Sequence, residues 1–272
     1  IFQTSPATVS IMPIKTLDDE GFGNTATTSE GIYYAANNGA HVINMSLGGN
    51  TPTNVQRDAV AYAYQKGCII VAAGGNQASD NLRYPAAYEK VVAVGATGSE
   101  ADLISSISNF GIYIDVMAPG GDFRLSPPSE MISTAYYDPI YGFNDYYRAR
   151  TKEGYLTAGT SSSSALVSGL MGLVKSQHPE WTNEQVIRQV ILTADNVDDL
   201  NPSYANQLGS GRINAYRALT EANPLFQAPR IRLVGEVSFS DSLGGDNDNI
   251  FERGETIEMK VPTYRNFSIN PG

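Results

Sequence analysis

The sequence predicts an α/β fold, a doubly wound, mostly parallel sheet, followed by an incomplete β-sandwich. Three observations predict it. Short, nearly continuous apolar runs recur at His41–Ser46, Cys68–Ala73 and Val91–Val94. Amphipathic helical patterns separate the first of them, and continuous apolar strands alternating with helices mark a parallel sheet covered on both faces. Beyond Asn223-Pro224 the composition shifts to period-2 alternation, as in Glu236-Val237-Ser238-Phe239-Ser240, the signature of half-buried antiparallel strands.

Taken in order, Val9 to Lys15 reads as a buried strand, and Asp18-Asp19-Glu20-Gly21-Phe22-Gly23 as a polar loop. Thr28 or Ser29 is placed to cap a helix that runs to about Asn38, with Ile32, Ala35 and Ala36 on one face and Gly39 as its stop. The strand His41–Ser46 ends at Leu47-Gly48-Gly49. A helix from Thr53 to Lys66 follows, with Val55, Ala59 and Tyr62 spaced for burial. Cys68–Ala73 is the next strand and ends in Gly74-Gly75-Asn76; Val91–Val94 and Ile112–Ala118 are two more. Tyr136 to Tyr155 reads as a long loop or a hairpin insertion. An apolar helix covers Ala165 to Val174, and Thr182-Asn183-Glu184-Gln185 is a capping box before the stripe Val186, Ile187, Val190, Ile191, Ala194. Gly209 to Asn214 leads into a short helix ending near Asn223. This places residues 1–223 in one domain and 224–272 in a linker and the start of a truncated β-sandwich, with strands at Ile231–Val234, Glu236–Ser240 and Ile257–Val261.

Composition narrows the function classes. The 272 residues are 42% hydrophobic, enough for a sizeable core. A net charge of -10 argues against nucleic acid and anionic membranes as partners. No apolar run approaches a membrane span. The single cysteine, Cys68, excludes an internal disulfide and sits in an apolar run, as a buried thiol does. Ile1 is not an initiator methionine, and Asn270-Pro271-Gly272 resembles a mid-domain turn, so the chain reads as a piece of a longer protein.

In parallel sheets ligands bind at the carboxyl ends of the strands, which draws attention to Ser46-Leu47-Gly48 and Gly74-Gly75-Asn76. Between Gly159 and Gly169 a glycine turn and a run of serines open an apolar helix. A serine there sits among unpaired N–H groups at the positive end of the helix dipole, which suits an oxygen nucleophile and the oxyanion that follows its attack. The plainer reading is a serine run that caps a buried helix.

Several motifs occur together and in one order: Ile11-Met12-Pro13-Ile14-Lys15, Ile43-Asn44-Met45-Ser46-Leu47-Gly48-Gly49, Ala72-Ala73-Gly74-Gly75-Asn76, Asp115-Val116-Met117-Ala118-Pro119-Gly120, Gly159-Thr160-Ser161 and Ser176-Gln177-His178-Pro179. Together they resemble the subtilisin-like serine peptidases, the subtilases, over roughly residues 5–220. The resemblance implies a fold of subtilisin type and a serine endopeptidase that forms an acyl-enzyme on Ser161. It implies Asn76 as the oxyanion-hole asparagine, with the Ser161 backbone N–H as second donor. Ser46, Leu47 and Gly48 match one substrate-binding strand, and Gly21, Phe22 and Gly23 the facing one. Ala73, Gly74 and Gly75 match the wall of the pocket for the residue before the scissile bond, where small side chains leave room for a large apolar one. The implied substrates are proteins or peptides, the reaction requires no cofactor, and the implied location is secreted or cell-surface.

Two residues depart from the family motif near the serine: Ala165 stands where proline is usual and Leu166 where histidine is frequent, both read as packing variants. The family's catalytic Asp and His precede every strand seen here, so no residue is assigned to either role, and the chain by itself is expected to be inactive. Of the two histidines, His41 opens a strand and His178 lies past the serine helix, about 25 Å from Ser161 at about 1.5 Å per residue. An alternative is a catalytically dead subtilase that binds peptides or acts as a scaffold. Phe22 reads more simply as a packing residue, and Asp18, Asp19 and Glu20 as a solvated turn. Structural calcium has two candidate places. Asp246 and Asp248 alternate as in a calcium loop but lack the glycine an EF-hand needs, so a plain acidic turn competes with that reading. Ala86, Tyr88 and Val91 match a region where the family holds cations through backbone carbonyls.

Overall fold

Alternation along one strand explains the architecture. In Ile69-Ile70-Val71-Ala72, Ile69 and Val71 belong to one apolar core while Ile70 and Ala72 belong to another, so both faces of this strand are covered. The computed structural model describes residues 9–98, 102–122 and 158–222 in full, and the backbone of short strands at 132–133, 156–157, 231–233, 238–240, 258–260 and 264–266.

The elements are α1 (Thr25–Asn37), β1 (Val42–Met45), α2 (Asn54–Gln65), β2 (Ile69–Ala73), β3 (Val91–Thr97), β4 (Val116–Pro119), β5 (Ile132–Ser133), β6 (Leu156–Thr157), α3 (Thr160–Gln177), α4 (Asn183–Leu192) and α5 (Ala215–Thr220). Strands β1-β2-β3-β4 form one parallel sheet in that order. Ile32, Ala35 and Ala36 of α1 and Ala59, Val60 and Ala63 of α2 pack on one face. Val167, Leu170, Met171 and Val174 of α3, with Val186, Ile187, Val190 and Ile191 of α4, pack on the other. This is the doubly wound parallel α/β arrangement that the sequence predicts.

Several local expectations need correction. Val9 to Lys15 is not a strand. Val9 is 64% and Ile11 88% exposed, because among the described residues no neighbouring strand gives this stretch a ladder; Ile14 and Thr16 touch α1, beside Gly31. The cap of α1 is Asn24, whose Oδ1 accepts from the N–H groups of Ala26 and Thr27. Thr28 and Ser29 instead lie inside the helix, where their hydroxyls donate to the carbonyls of Asn24 and Thr25. Gly39 stops α1 as expected, with φ +79° and Ala40 N–H returning to Ala35 O. In α2, Thr53 is the cap, Ala59 is buried and Val55 is exposed; Val60 carries the stripe instead. Ile112–Ile114 is a turn, and β4 starts only at Val116. The Thr182–Gln185 capping box forms in full.

β5 and β6 pair antiparallel on either side of the Tyr-rich segment, which itself lies outside the described residues, as do Asp246 and Asp248. The chain divides into two compact units, Ile1–Asn223 and Pro224–Gly272. Within the second, β7 (Ile231–Leu233) pairs antiparallel with β10 (Tyr264–Asn266), and β8 (Ser238–Ser240) with β9 (Glu258–Lys260). Among the described residues no helix is long and apolar enough to cross a membrane.

Candidate active site

The carboxyl ends of β1 and β2 and the start of α3 meet at one place. Gly159 precedes α3 with φ +133°, a conformation that other residues rarely adopt. It is also crowded: a Cβ there would lie 2.9 Å from Asn76 Nδ2. The glycine thus lets the Asn76 amide lie against the entry to the helix.

The amide is oriented by what its oxygen accepts. Asn76 Oδ1 takes hydrogen bonds from the N–H and the hydroxyl of Thr160, both at 2.9 Å. The Thr160 Oγ1 in turn accepts from Gly75 N–H at 3.1 Å. With the oxygen held by two donors, Nδ2 is the remaining polar end of the amide, and it is a donor. The next residue is Ser161, in the first turn of α3, where backbone N–H groups have no intrahelical partner. The loop after Asn76 is held by Asn109, whose Oδ1 accepts from Gln77 N–H. Tyr113 adds to this by donating from its OH to Gly74 O at 2.8 Å.

Ser161 is tied to the end of β1. Its Oγ donates to Ser46 O at 3.1 Å, and the Ser46 hydroxyl donates back to Ser161 O at 2.8 Å. Ser164 Oγ also donates to Ser161 O at 2.9 Å, and Asn44 Nδ2 donates to Ser46 Oγ at 3.0 Å. Among the described residues, neither histidine hydrogen-bonds Ser161. His41 is exposed and offers its carbonyl to Ile69 N–H. His178 ends α3 and stacks on Trp181 with ring centroids 3.7 Å apart.

The other expected residues fall into three groups. Ser46, Leu47 and Gly48 run outward from β1. Gly49 locks this run on one side by exchanging two 2.8 Å backbone bonds with Tyr84. Ala73, Gly74 and Gly75 lead to Asn76, but they do not all wall an open pocket. A Cβ on Gly74 would meet Ile114 Cδ1 at 2.6 Å and Val94 O at 2.9 Å, so its smallness serves core packing. A Cβ on Gly75 would meet Asn109 Nδ2 at 2.5 Å and Arg83 Cγ at 2.8 Å. Room beside Gly75 is therefore taken by a side chain that the sequence did not single out. Arg83 crosses Gly75 and donates from Nη2 to Gly48 O at 3.0 Å, and from Nη1 to Asn50 Oδ1.

Gly21, Phe22 and Gly23 form an exposed turn closed on itself: Asp18 Oδ1 accepts from Phe22 N–H at 2.7 Å, and Asp18 N–H donates to Phe22 O. Phe22 is 73% exposed and packs on no core, contrary to the plainer expectation for it. No hydrogen bond joins this turn to Ser161 or Asn76 among the described residues. Ala165 and Leu166 lie on the exposed side of α3, Leu166 at 43%, so they are not packing variants here. Ala86, Tyr88 and Val91 turn their side chains into the core, so only their backbone carbonyls could serve a cation. Of these, Tyr88 O already accepts from Val91 N–H at 3.4 Å. No cluster of three or more His, Cys, Asp or Glu suited to a metal occurs among the described residues.

The family model described as the subtilase family matches residues 6–211. The chain belongs to the subtilase family. It is 39% identical to the thermophilic serine proteinase of Bacillus sp. (strain AK1), over 77% of this chain and 45% of that protein. It is 35% identical to thermitase of Thermoactinomyces vulgaris, over 77% of this chain and 65% of that one. A solved protease of Pseudoalteromonas arctica superposes with a TM-score of 0.61 at 26% identity, covering 72% of this chain and 58% of that structure. A lanthipeptide protease shares the fold, with a TM-score of 0.65 at 24% identity over 77% of this chain and 69% of its own. The chain thus spans about half to two thirds of the length of these relatives.

Of the site residues, Thr160, Ser164, Asn44 and Arg83 were missed from sequence. Thr160 had the best signal: a polar residue between the turn glycine and the candidate nucleophile, at a position that is fully buried.

Proposed function

We propose that the complete protein is a serine endopeptidase in which Ser161 is the nucleophile. The observation that supports this is at the start of α3: Thr160, the residue before Ser161, donates from its N–H and its hydroxyl to Asn76 Oδ1, which leaves Nδ2 as the donor end of that amide, and Ser161 lies in the first helical turn. An extended peptide lies along Ser46-Leu47-Gly48 and presents its carbonyl carbon to Ser161 Oγ. The hydroxyl then exchanges its bond to Ser46 O for attack on that carbon, and its proton passes to a general base. The carbonyl oxygen becomes an oxyanion between Asn76 Nδ2 and the Ser161 N–H, in the positive field of the helix terminus. Collapse expels the amine and leaves an acyl-enzyme; water repeats the attack and frees the serine.

No imidazole or carboxylate lies beside Ser161 Oγ among the described residues, so the base and the acid that orients it come from outside them. A Ser161 hydroxyl whose one hydrogen-bond partner among the described residues is a backbone carbonyl is a weak nucleophile at neutral pH. The chain alone therefore hydrolyses peptides poorly. That same observation supports a second reading, a catalytically dead subtilase that retains peptide binding along Ser46–Gly48.

A fluorophosphonate probe on the complete enzyme decides between them. It should label Ser161, and Ser161→Ala should abolish both labelling and hydrolysis; retained turnover in that variant would refute the assignment. Asn76→Ala should lower kcat by about 10²–10³, the loss measured when the matching asparagine of a subtilisin is removed. Secretion is the location we propose, in keeping with the family. Calcium on the carbonyls of Ala86, Tyr88 and Val91 is proposed as a purely structural ion. Adding calcium to the chelator-treated chain should raise Tm, and an unchanged Tm removes it.

A further inference from the structure

We propose that Arg83 makes this protein select an acidic side chain at the residue before the scissile bond. The inference deepens the peptidase reading and rests on it. On the peptidase reading the pocket for that residue lies between Ser46–Gly49 and Gly75, and Arg83 reaches from the one stretch to the other. Its stem passes over Gly75, where a Cβ would lie 2.8 Å from Arg83 Cγ, and its guanidinium reaches Gly48 O and Asn50 Oδ1. Its backbone is anchored beside the same stretch, since Tyr84 exchanges two hydrogen bonds with Gly49 and Ala87 N–H donates to Arg83 O at 2.7 Å.

Every acceptor that Arg83 has is neutral: a peptide carbonyl and an amide oxygen. No carboxylate pairs with it within ion-pair distance among the described residues, and its Nε–H is buried with no acceptor at all. The half-buried guanidinium thus has no counter-ion among the described residues. An N–H removed from water and left unpaired is costly, and a carboxylate that enters beside the guanidinium supplies the missing opposite charge and a stronger acceptor than the neutral oxygens it has. A large apolar side chain meets the opposite situation, since it must displace the stem from Gly75 or desolvate the charge. The small residues of the wall, read alone, suggest the reverse preference.

The test uses peptide p-nitroanilides that differ only at the last residue, Glu, Gln, Phe or Leu, on the complete enzyme. Glu against Gln isolates the charge at constant shape and needs no variant: kcat/KM should favour Glu by about tenfold or more, the range of charge-assisted over neutral hydrogen bonding. Arg83→Met keeps the stem and removes the charge, so it should bring the Glu/Gln ratio to about one and raise turnover of Phe. Equal rates for Glu and Gln in the wild type, or a Glu preference that survives in Arg83→Met, would overturn the proposal. Labelling of Ser161 by the fluorophosphonate runs in parallel. If labelling fails, the peptidase reading is at fault. In that case the Ser161→Ala chain, titrated with peptides ending in a free Glu, Gln or Phe, still decides the Arg83 proposal by whether Glu binds tightest and loses that advantage in Arg83→Met.

Discussion

Replacing Thr160 by valine tests the geometry of the site at its buried centre. The two side chains have nearly the same shape, so little packing changes, but the hydroxyl is lost. In the structure that hydroxyl does two things: it donates to Asn76 Oδ1 at 2.9 Å and accepts from Gly75 N–H at 3.1 Å. Thr160 is fully buried, so no water replaces it. Asn76 Oδ1 keeps its bond from Thr160 N–H, whereas Gly75 N–H loses the partner that Thr160 gave it. Leaving one such donor unpaired costs about 1–3 kcal/mol; because Gly75 is only partly buried, the lower half of that range applies. Urea unfolding of the chain should show the midpoint falling at constant m, and Tm should drop by about 2–4 °C per kcal/mol for a domain of this size. Thr160→Ser, which keeps the hydroxyl, should stay within about 0.5 kcal/mol of wild type apart from its lost methyl. In the complete enzyme Thr160→Val should lower kcat more than it raises KM, since a looser Asn76 amide matters most when the oxyanion forms. If Val and Ser variants are equally stable, the hydroxyl network does not hold Asn76 and the reasoning fails.

Two other perturbations follow from the same coordinates. Gly211 has φ +99° and a Cβ there would lie 1.9 Å from Asp195 O, so Gly211→Ala should cost several kcal/mol, more than the roughly 1–3 kcal/mol of left-handed strain alone; a urea midpoint near wild type would contradict this. Burial pushes the Glu184 carboxyl up from its ordinary 4.5, and the hydrogen bond from Tyr64 and the charges of Lys90 and Arg188 offset only part of that. The folded state therefore binds this proton more tightly than the unfolded one, and stability is lost as pH rises above 4.5 through the folded value. Glu184→Gln, which still accepts from Tyr64, should be more stable than wild type at about pH 7 and converge with it below about pH 4.5, measured by urea unfolding at the two pH values; a gap that widens in acid would reverse the sign.

The sequence by itself determined the layered sheet and the family. β2 and β3 are apolar at nearly every position, so they read as strands covered on both faces, and the structure buries all of them. The Thr182–Gln185 capping box was legible because its two bonds are local. Ser161 and Asn76, the residues proposed to react, stand out through their motifs, and the fold brings those two motifs together. What depended on partners far along the chain was not legible. Val9 to Lys15 has a strand's composition but no neighbouring ladder among the described residues, and a strand without one has nothing to hold its backbone. Val55 fitted a helical stripe, yet the direction in which α2 leans on the sheet left it in solvent and buried Val60 instead. The same limit governs the site. Small residues at Ala73–Gly75 suggested empty space, and only the fold shows that Ile114 fills the side facing Gly74 and that Asn109 and Arg83 crowd Gly75. A glycine records that something comes close; which side chain arrives, and with what charge, is decided by chain crossings that no local pattern carries.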